Sequence, residues 1–111
     1  MAGKNPDTLG GGESVELAKD AEKSVERANE LAGKALDRSL DAAKRDDVLD
    51  DLAVELSALA ALEKRGANIP EPSLNIENLY SNLIGKGISR LSMFEKLFID
   101  RYDQAFTQGA R

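Results

Sequence analysis

All five aromatic residues of this 111-residue chain lie in its C-terminal part, and the first 79 residues contain none. They are Tyr80, Phe94, Phe98, Tyr102 and Phe106. Aromatic side chains dominate the energetics of cores and interfaces. The long front of the chain must therefore be held together by Ala, Leu and Val, and it needs a mode of packing that suits small side chains.

The front of the chain has the spacing of a helix that packs against another helix. From Val15 to about Lys44, small residues recur in alternating steps of three and four, which is the a/d pattern of a helix–helix seam. The seam consists of Ala18, Ala21, Val25, Ala28, Ala32, Ala35, Ser39 and Ala42. Gly33 costs about 1 kcal/mol relative to Ala within a helix. We therefore expect a close contact at Gly33 that leaves no room for a side chain.

The same register continues beyond residue 45 into a segment that is richer in leucine. Lys44-Arg45-Asp46-Asp47 places basic residues before acidic ones, which favours the end of one helix and the start of the next. The sequence leaves open whether residues 14–65 form one long bent helix or a hairpin. In a hairpin, part of the longer first helix would lack an intramolecular partner, and we expect self-association to supply one.

Local signals divide the second half of the chain. Gly66 suits the position just after a helix, and the two prolines of residues 67–72 exclude helical geometry there. Ser73 or Asn75 can cap a third helix, which Gly85-Lys86-Gly87 interrupts. The segment from Ser92 to Glu95 has the form of a capping box and indicates a fourth helix.

These signals predict an all-α protein, either a small helical bundle or an elongated helical hairpin. The four predicted helices cover residues 14–45, 47–65, 74–84 and 88–107. We divide the chain into a flexible Gly-rich arm (1–12), an acidic Ala/Leu-rich helical region (13–66), a Pro-containing linker (67–73) and an aromatic helical region (74–111).

Composition restricts the possible chemistry. The chain contains no histidine and no cysteine, so the commonest general base and the thiolate nucleophile are both missing. We expect a non-enzymatic protein without a cofactor. The net charge is −5, and no basic face emerges from the sequence, which disfavours direct binding to nucleic acid.

No targeting or membrane segment is evident in the sequence. No apolar run approaches the roughly 18 residues of a membrane span, so membrane association is disfavoured. The first residues lack the apolar stretch of a cleaved signal peptide. We expect a cytoplasmic protein, or one that resides within a virion or a secretion assembly.

The aromatic stripe is the first candidate interface. Phe94, Phe98, Tyr102 and Phe106 are spaced by four, so a helix places them in one sector. We favour the interpretation that this sector faces the protein core. The alternative is a partly exposed face that anchors a protein partner or a second copy of the chain. An interfacial membrane helix is disfavoured by the acidic residues between the aromatic ones.

The second candidate is an acidic surface formed by Asp46, Asp47, Asp50, Asp51 and Glu55. The segment 46–51, which contains its four aspartates, resembles the DDxxD signature of prenyl-chain enzymes, in which carboxylates one turn apart hold Mg²⁺. The likeness is confined to this motif, because those enzymes are much larger and carry a second acidic motif. A divalent ion between Asp47 and Asp51 is physically possible, but a solvated helix face is favoured.

The general layout resembles that of small helical subunits of larger assemblies, such as needle and inner-rod subunits of secretion machines and some phage virion and adaptor proteins. The likeness is one of composition and order of elements. It implies a structural or adaptor component that acts through protein–protein contacts and self-associates. The alternative is an acidic inhibitor of phage type that mimics nucleic acid and blocks a nucleic-acid-binding host protein.

Overall fold

The computed structural model describes the backbone of residues 7–107 and the side chains of residues 15–106. It contains four α-helices: α1 (Asp7–Leu36), α2 (Ala42–Lys64), α3 (Leu74–Lys86) and α4 (Met93–Tyr102). A 3₁₀ turn at Ile88–Arg90 precedes α4, and a π-helical turn at Asp103–Thr107 follows it. The described part of the chain contains no strand. The predicted all-α fold is confirmed.

Helix α1 begins earlier than predicted. It starts at Asp7 rather than at residue 14, and it continues through the three glycines at positions 10–12. Glycine disfavours helical geometry but does not forbid it. Of the arm predicted over residues 1–12, residues 7–12 are therefore part of α1, and residues 1–6 lie outside the described residues.

The joint predicted at residues 44–47 is wrong, because the chain turns at residues 37–41 instead. The turn is fixed by local hydrogen bonds of two aspartates. Asp37 Oδ1 accepts from Ser39 N at 2.9 Å and from Ser39 Oγ at 2.8 Å. These hydrogen bonds lower the pKa of Asp37. Asp41 is the N-cap of α2, and its Oδ1 accepts from Lys44 N at 2.8 Å.

Arg45 explains why the charge pattern placed the joint between α1 and α2 too late in the sequence. Its guanidinium donates to Ala35 O at 3.1 Å and to Asp37 O at 2.9 Å. Basic side chains stabilise the free carbonyls at a helix C-terminus. Arg45 does so for α1, but it reaches back from the first turn of α2.

Helices α1 and α2 form an antiparallel hairpin, so the alternative of one long helix is excluded. Arg27 of α1 and Glu55 of α2 form an ion pair, with Nε and Oε1 3.0 Å apart. The seam is buried within the single chain over most of its length. Its buried members are Ala21, Val25, Ala28, Ala32 and Ala35, and Leu17 and Ser24 are buried beside them.

Helix α3 packs against α1 and receives its N-terminal cap from it. Ser73 occupies the N-cap position but makes no side-chain hydrogen bond there. Asn29 Oδ1 accepts from the backbone N–H of Asn75 at 3.1 Å, and Asn75 Nδ2 donates to Asn29 O at 3.3 Å. A Cβ atom at Gly33 would lie 2.9 Å from Asn75 Nδ2. The predicted close contact at Gly33 is confirmed, and Asn29 does the capping that we expected of Ser73 or Asn75.

Glycine ends both helices that flank the linker. Gly66 has φ +102° and Gly87 has φ +87°. Gly66 N donates to Glu63 O at 2.9 Å and Ala67 N to Leu62 O at 3.0 Å, which together form the Schellman motif that ends α2. Residues 67–73 have no regular structure.

The fourth helix is shorter than the predicted 88–107. Ser92 is the N-cap, and the predicted capping box is present: Ser92 Oγ accepts from Glu95 N at 3.1 Å and Glu95 Oε1 from Ser92 N at 2.9 Å. Because an N-cap residue has extended backbone geometry, this box separates α4 from the 3₁₀ turn before it. The third helix extends to Lys86 rather than to residue 84.

The four helices close into an elongated bundle with extents of 57 × 25 × 19 Å. Helix α1 contacts α2 and α3, and α4 contacts α2 and α3. The largest fully buried side chains come from α2, α3 and α4; they are Leu49, Leu52, Leu56, Leu59, Ile76 and Phe98. Burial of such side chains contributes about 1.5–3 kcal/mol each.

Candidate functional site

The aromatic stripe contributes to the core at its centre and is half-buried elsewhere. Phe98 is 0% exposed. Phe94, Tyr102 and Phe106 are half-buried and pack against the core. Phe98 therefore reaches a partner only if the bundle opens, whereas the half-buried edges of the other three remain accessible.

A pair of stacked tyrosines joins α3 to α4. The rings of Tyr80 and Tyr102 are 3.9 Å apart between centroids, with 16° between their planes. Tyr80 Oη donates to Asp103 Oδ1 at 3.3 Å. Burial raises the pKa of Tyr80, and the charge of Asp103 and the hydrogen bond to it raise that pKa further. Burial also raises the pKa of Tyr102, with a further contribution from the charge of Glu77.

A cleft of about 560 Å³ lies between the linker and the C-terminal end of the aromatic stripe. We call it the acidic cleft. Its lining residues come from the end of α2, the linker, Glu77 of α3, the last residue of α4 and the turn that follows α4. It is lined by Glu63, Gly66, Ala67, Asn68, Ile69, Pro70, Glu71, Pro72, Glu77, Tyr102, Ala105 and Phe106.

The charge of this cleft has a single sign. Glu63, Glu71 and Glu77 line it, and no lysine or arginine does so among the residues that the structure describes. Over the same part of the chain, no group of three or more acidic side chains is arranged to hold a metal ion. The three carboxylates of the cleft thus do not form a metal-binding group.

The five carboxylates of the acidic surface differ in their surroundings. Asp47, Asp50 and Asp51 are exposed, Asp46 is half-buried, and Glu55 is bound by Arg27. Burial alone would raise the pKa of Glu55, but hydrogen bonds from Arg27 and Ser24 and the charge of Arg27 together lower it. Glu55 is therefore compensated within the chain, and the acidic surface reduces to four aspartates.

A smaller cleft of about 270 Å³ lies at the opposite end of α2, next to the turn between α1 and α2. Arg38, Arg45, Lys86 and Glu95 provide its charged lining. Arg45 donates to backbone carbonyls of the turn, and Lys86 Nζ donates to Glu95 at 3.1 Å. Two of its three cations are thus engaged within the chain.

The outer face of α2 is exposed, and the middle of this face is apolar. It consists of residues spaced in steps of four and three: Asp47, Asp51, Val54, Ala58, Ala61 and Arg65. All six are exposed, and Val54 is 65% exposed. Helix α2 is much less amphipathic than α1 or α3. A helix that is apolar on more than one side usually has more than one packing partner, and α2 contacts both α1 and α4 within the chain.

Sequence reasoning identified neither the outer face of α2 nor the acidic cleft. The 4–3 spacing from Asp47 to Arg65 is readable in the sequence, but the leucines of the buried face share the same helix and give the stronger pattern. The acidic cleft joins residues 63–77 to residues 102–106, and no local pattern connects segments that far apart.

Comparison with known proteins adds no relative: no protein-family model matches the chain, and no curated protein or solved structure is similar to it at a significant level. Within residues 7–107, no helix combines the length and the apolarity that crossing a membrane requires.

Proposed function

We propose that the protein is a non-enzymatic helical component of a larger assembly and that it associates with a second copy of itself through the outer face of α2. The observation that carries this proposal is the exposed 4–3 stripe with Val54, Ala58 and Ala61 at its centre. Such a stripe is the seam of an antiparallel or parallel helix pair. Small side chains allow the two backbones to approach closely.

The charges at the two ends of the stripe favour the antiparallel arrangement. Asp47 and Asp51 lie at one end and Arg65 at the other, about 27 Å apart for an α-helix. In an antiparallel pair, Asp47 of each copy faces Arg65 of the other copy, and Val54 faces Ala58. A parallel pair would place like charges opposite each other, which is unfavourable.

The reason for self-association thus differs from the one that the sequence suggested. The α1 seam is buried inside one chain from Ala21 to Ala35, so it needs no second copy there. Among the described residues, the outer face of α2 is exposed along its whole length, and we propose that it supplies the contact.

The chemistry of the chain supports a role without catalysis. There is no histidine or cysteine, and burial shifts the pKa of both tyrosines upward, away from the reactive phenolate. We propose that the protein works in the cytoplasm or within a virion or secretion assembly.

Sedimentation velocity from about 10 μM to about 1 mM protein tests the proposal, since a seam along one helix is small for a specific interface and should bind weakly. We expect a monomer–dimer equilibrium. Val54→Glu should raise the dissociation constant at least about tenfold, because it places a charge at the centre of the seam. Leu74→Glu is the matched control on α3, where Leu74 is 70% exposed, and it should leave the constant unchanged.

A charge exchange tests the register. Asp47→Arg and Arg65→Asp should each weaken the dimer, because each places like charges opposite one another. The double variant should restore the affinity to within about threefold of the original chain, since it recreates both opposite-charge pairs. A chain that remains monomeric at the highest concentration would refute the proposal, and failure of the double variant to restore binding would refute the antiparallel register.

A second candidate function is the acidic inhibitor that mimics nucleic acid. It is supported by Asp46, Asp47, Asp50 and Asp51, none of which takes part in an ion pair within the described part of the chain. Asp46 and Asp50 lie beside the outer face of α2 rather than on it. Asp46→Lys with Asp50→Lys should therefore abolish binding to a basic nucleic-acid-binding protein while leaving the dimer intact, so the two functions are separable.

A further inference from the structure

We propose that the acidic cleft binds a cationic side chain, that of arginine or lysine, presented by an extended segment of a protein partner. This site is separate from the outer face of α2. Its basis is the combination of volume, charge and aromatic surface in one place.

The volume of the acidic cleft suits a side chain together with the backbone that carries it. Ligand pockets typically occupy about 300–1,000 Å³, and this cleft measures about 560 Å³. Pro70, Pro72 and the Schellman motif at Gly66 give one wall a restricted backbone, so less conformational entropy is lost on binding than in a flexible loop.

The charge of the cleft selects a cation. Glu63, Glu71 and Glu77 contribute three carboxylates, and no described lining residue offsets them. Glu77 lies close enough to Tyr102 for its charge to act on the phenol, in addition to the larger effect of burial. An arginine or lysine entering the cleft would thus meet the negative potential of three carboxylates.

Aromatic rings supply the second element of recognition. Tyr102 and Phe106 line the cleft, with ring centroids 5.1 Å apart. A cation within about 6 Å of an aromatic ring face is attracted by the ring quadrupole. Tyr80 stacks on one face of the Tyr102 ring and is not among the residues that line the cleft, so it helps to hold the ring in place without occupying the cleft.

A peptide titration of the full-length chain tests this proposal. The ligand is acetyl-Gly-Gly-Arg-Gly-Gly-amide, and the control is the same peptide with citrulline, which has the shape of arginine without its charge. Followed by NMR, the arginine peptide should shift the amide signals of Ala67, Ile69 and Ala105. The citrulline peptide should bind at least about tenfold more weakly, since only the cation is attracted by the carboxylates and rings.

Matched triple variants separate the site from general electrostatic attraction. Glu63→Gln/Glu71→Gln/Glu77→Gln should weaken the arginine peptide at least about tenfold, while Glu22→Gln/Glu26→Gln/Glu30→Gln at exposed positions of α1, with the same change in net charge, should weaken it less than about threefold. Glu71 and Glu77 are exposed, so we expect the double variant at these two positions to fold. It replaces the triple variant in the test if the triple variant does not fold.

Three results would overturn the proposal. Equal weakening by both triple variants would mean nonspecific attraction to an acidic protein, and equal binding of the citrulline peptide would mean that the cation is not recognised. A large gain in peptide affinity for Arg111→Ala would assign the cleft to Arg111 of the same chain rather than to a partner. None of these results bears on the dimer at α2, whose test uses different residues.

Discussion

Gly33 is the residue at which the packing of α1 against α3 is closest. The space that a Cβ atom would need is taken by the amide nitrogen of Asn75, at 2.9 Å, and that nitrogen donates to Asn29 O. The cost of glycine within the helix is thus offset by a hydrogen bond between helices. Sequence reasoning predicts the close contact because nothing else explains a mid-helix glycine, but it cannot name Asn75 as the neighbour.

A double-mutant cycle measures how far the Asn75 contact offsets the cost of glycine at position 33. Gly33→Ala in the original chain should change the free energy of unfolding little, because the gain of about 1 kcal/mol in helix propensity is offset by displacement of the Asn75 amide. In the Asn75→Ala background the same change should stabilise by about 1 kcal/mol. Urea unfolding followed by far-UV circular dichroism gives both values, and equal effects in the two backgrounds would contradict the predicted contact.

The two tyrosines make the free energy of unfolding depend on pH in the alkaline range. Burial and nearby acidic charges raise the pKa of Tyr80 and Tyr102 above the ordinary value of 10.0. The folded state thus favours the protonated phenols. Their contribution is fully present below the unfolded pKa of about 10 and is lost as the pH rises through the higher pKa values of the folded state.

The free energy of unfolding should therefore fall above about pH 10 more steeply in the original chain than in Tyr80→Phe/Tyr102→Phe, which keeps both rings and removes both titrating groups. Urea unfolding at a series of pH values from about 8 to about 11 measures this difference. Lysine deprotonation affects both proteins alike and cancels in the comparison. Parallel pH profiles for the two proteins would show that the phenols do not titrate differently in the fold.

At the scale of the helices, the ends are decided by side-chain hydrogen bonds more than by the pattern of charge. The box at Ser92 and Glu95 is predictable from sequence, because all of its atoms lie within four residues. The turn at residues 37–41 is missed, although Asp37, Ser39 and Asp41 are all favourable turn and cap residues. The N-terminal cap of α3 cannot be predicted from the local sequence, since Asn29 and Asn75 are 46 positions apart.

Because the chain turns at residues 37–41, we expect Asp41 and Asp46 to contribute differently to the free energy of unfolding. Asp41→Ala should reduce the free energy of unfolding by about 1 kcal/mol, because it removes the N-cap of α2. Asp46→Ala, at the joint that the charge pattern indicates, should cost less than about 0.5 kcal/mol, since it removes no cap. Urea unfolding of the two variants side by side distinguishes them, and the opposite ranking would place the start of α2 near residue 46.

At the scale of the whole molecule, the sequence predicts the number of helices, their order and the irregular linker, because each of these depends on short-range spacing, glycine or proline. It predicts neither which helices touch nor where clefts form. The acidic cleft needs the linker, Glu77 and the residues after α4 to meet, and the exposed stripe on α2 becomes visible only when the leucine face is known to point inward.

The stacking of Tyr80 on Tyr102 gives the molecule a built-in optical reporter. The chain contains two tyrosines and no tryptophan, and both tyrosines belong to this one stack. Tyrosine emission and near-ultraviolet exciton coupling of the unlabelled protein therefore come from a single pair of rings that bridges α3 and α4. Separation of these two helices, by a ligand, a partner or partial unfolding, can be followed in real time without attaching a dye.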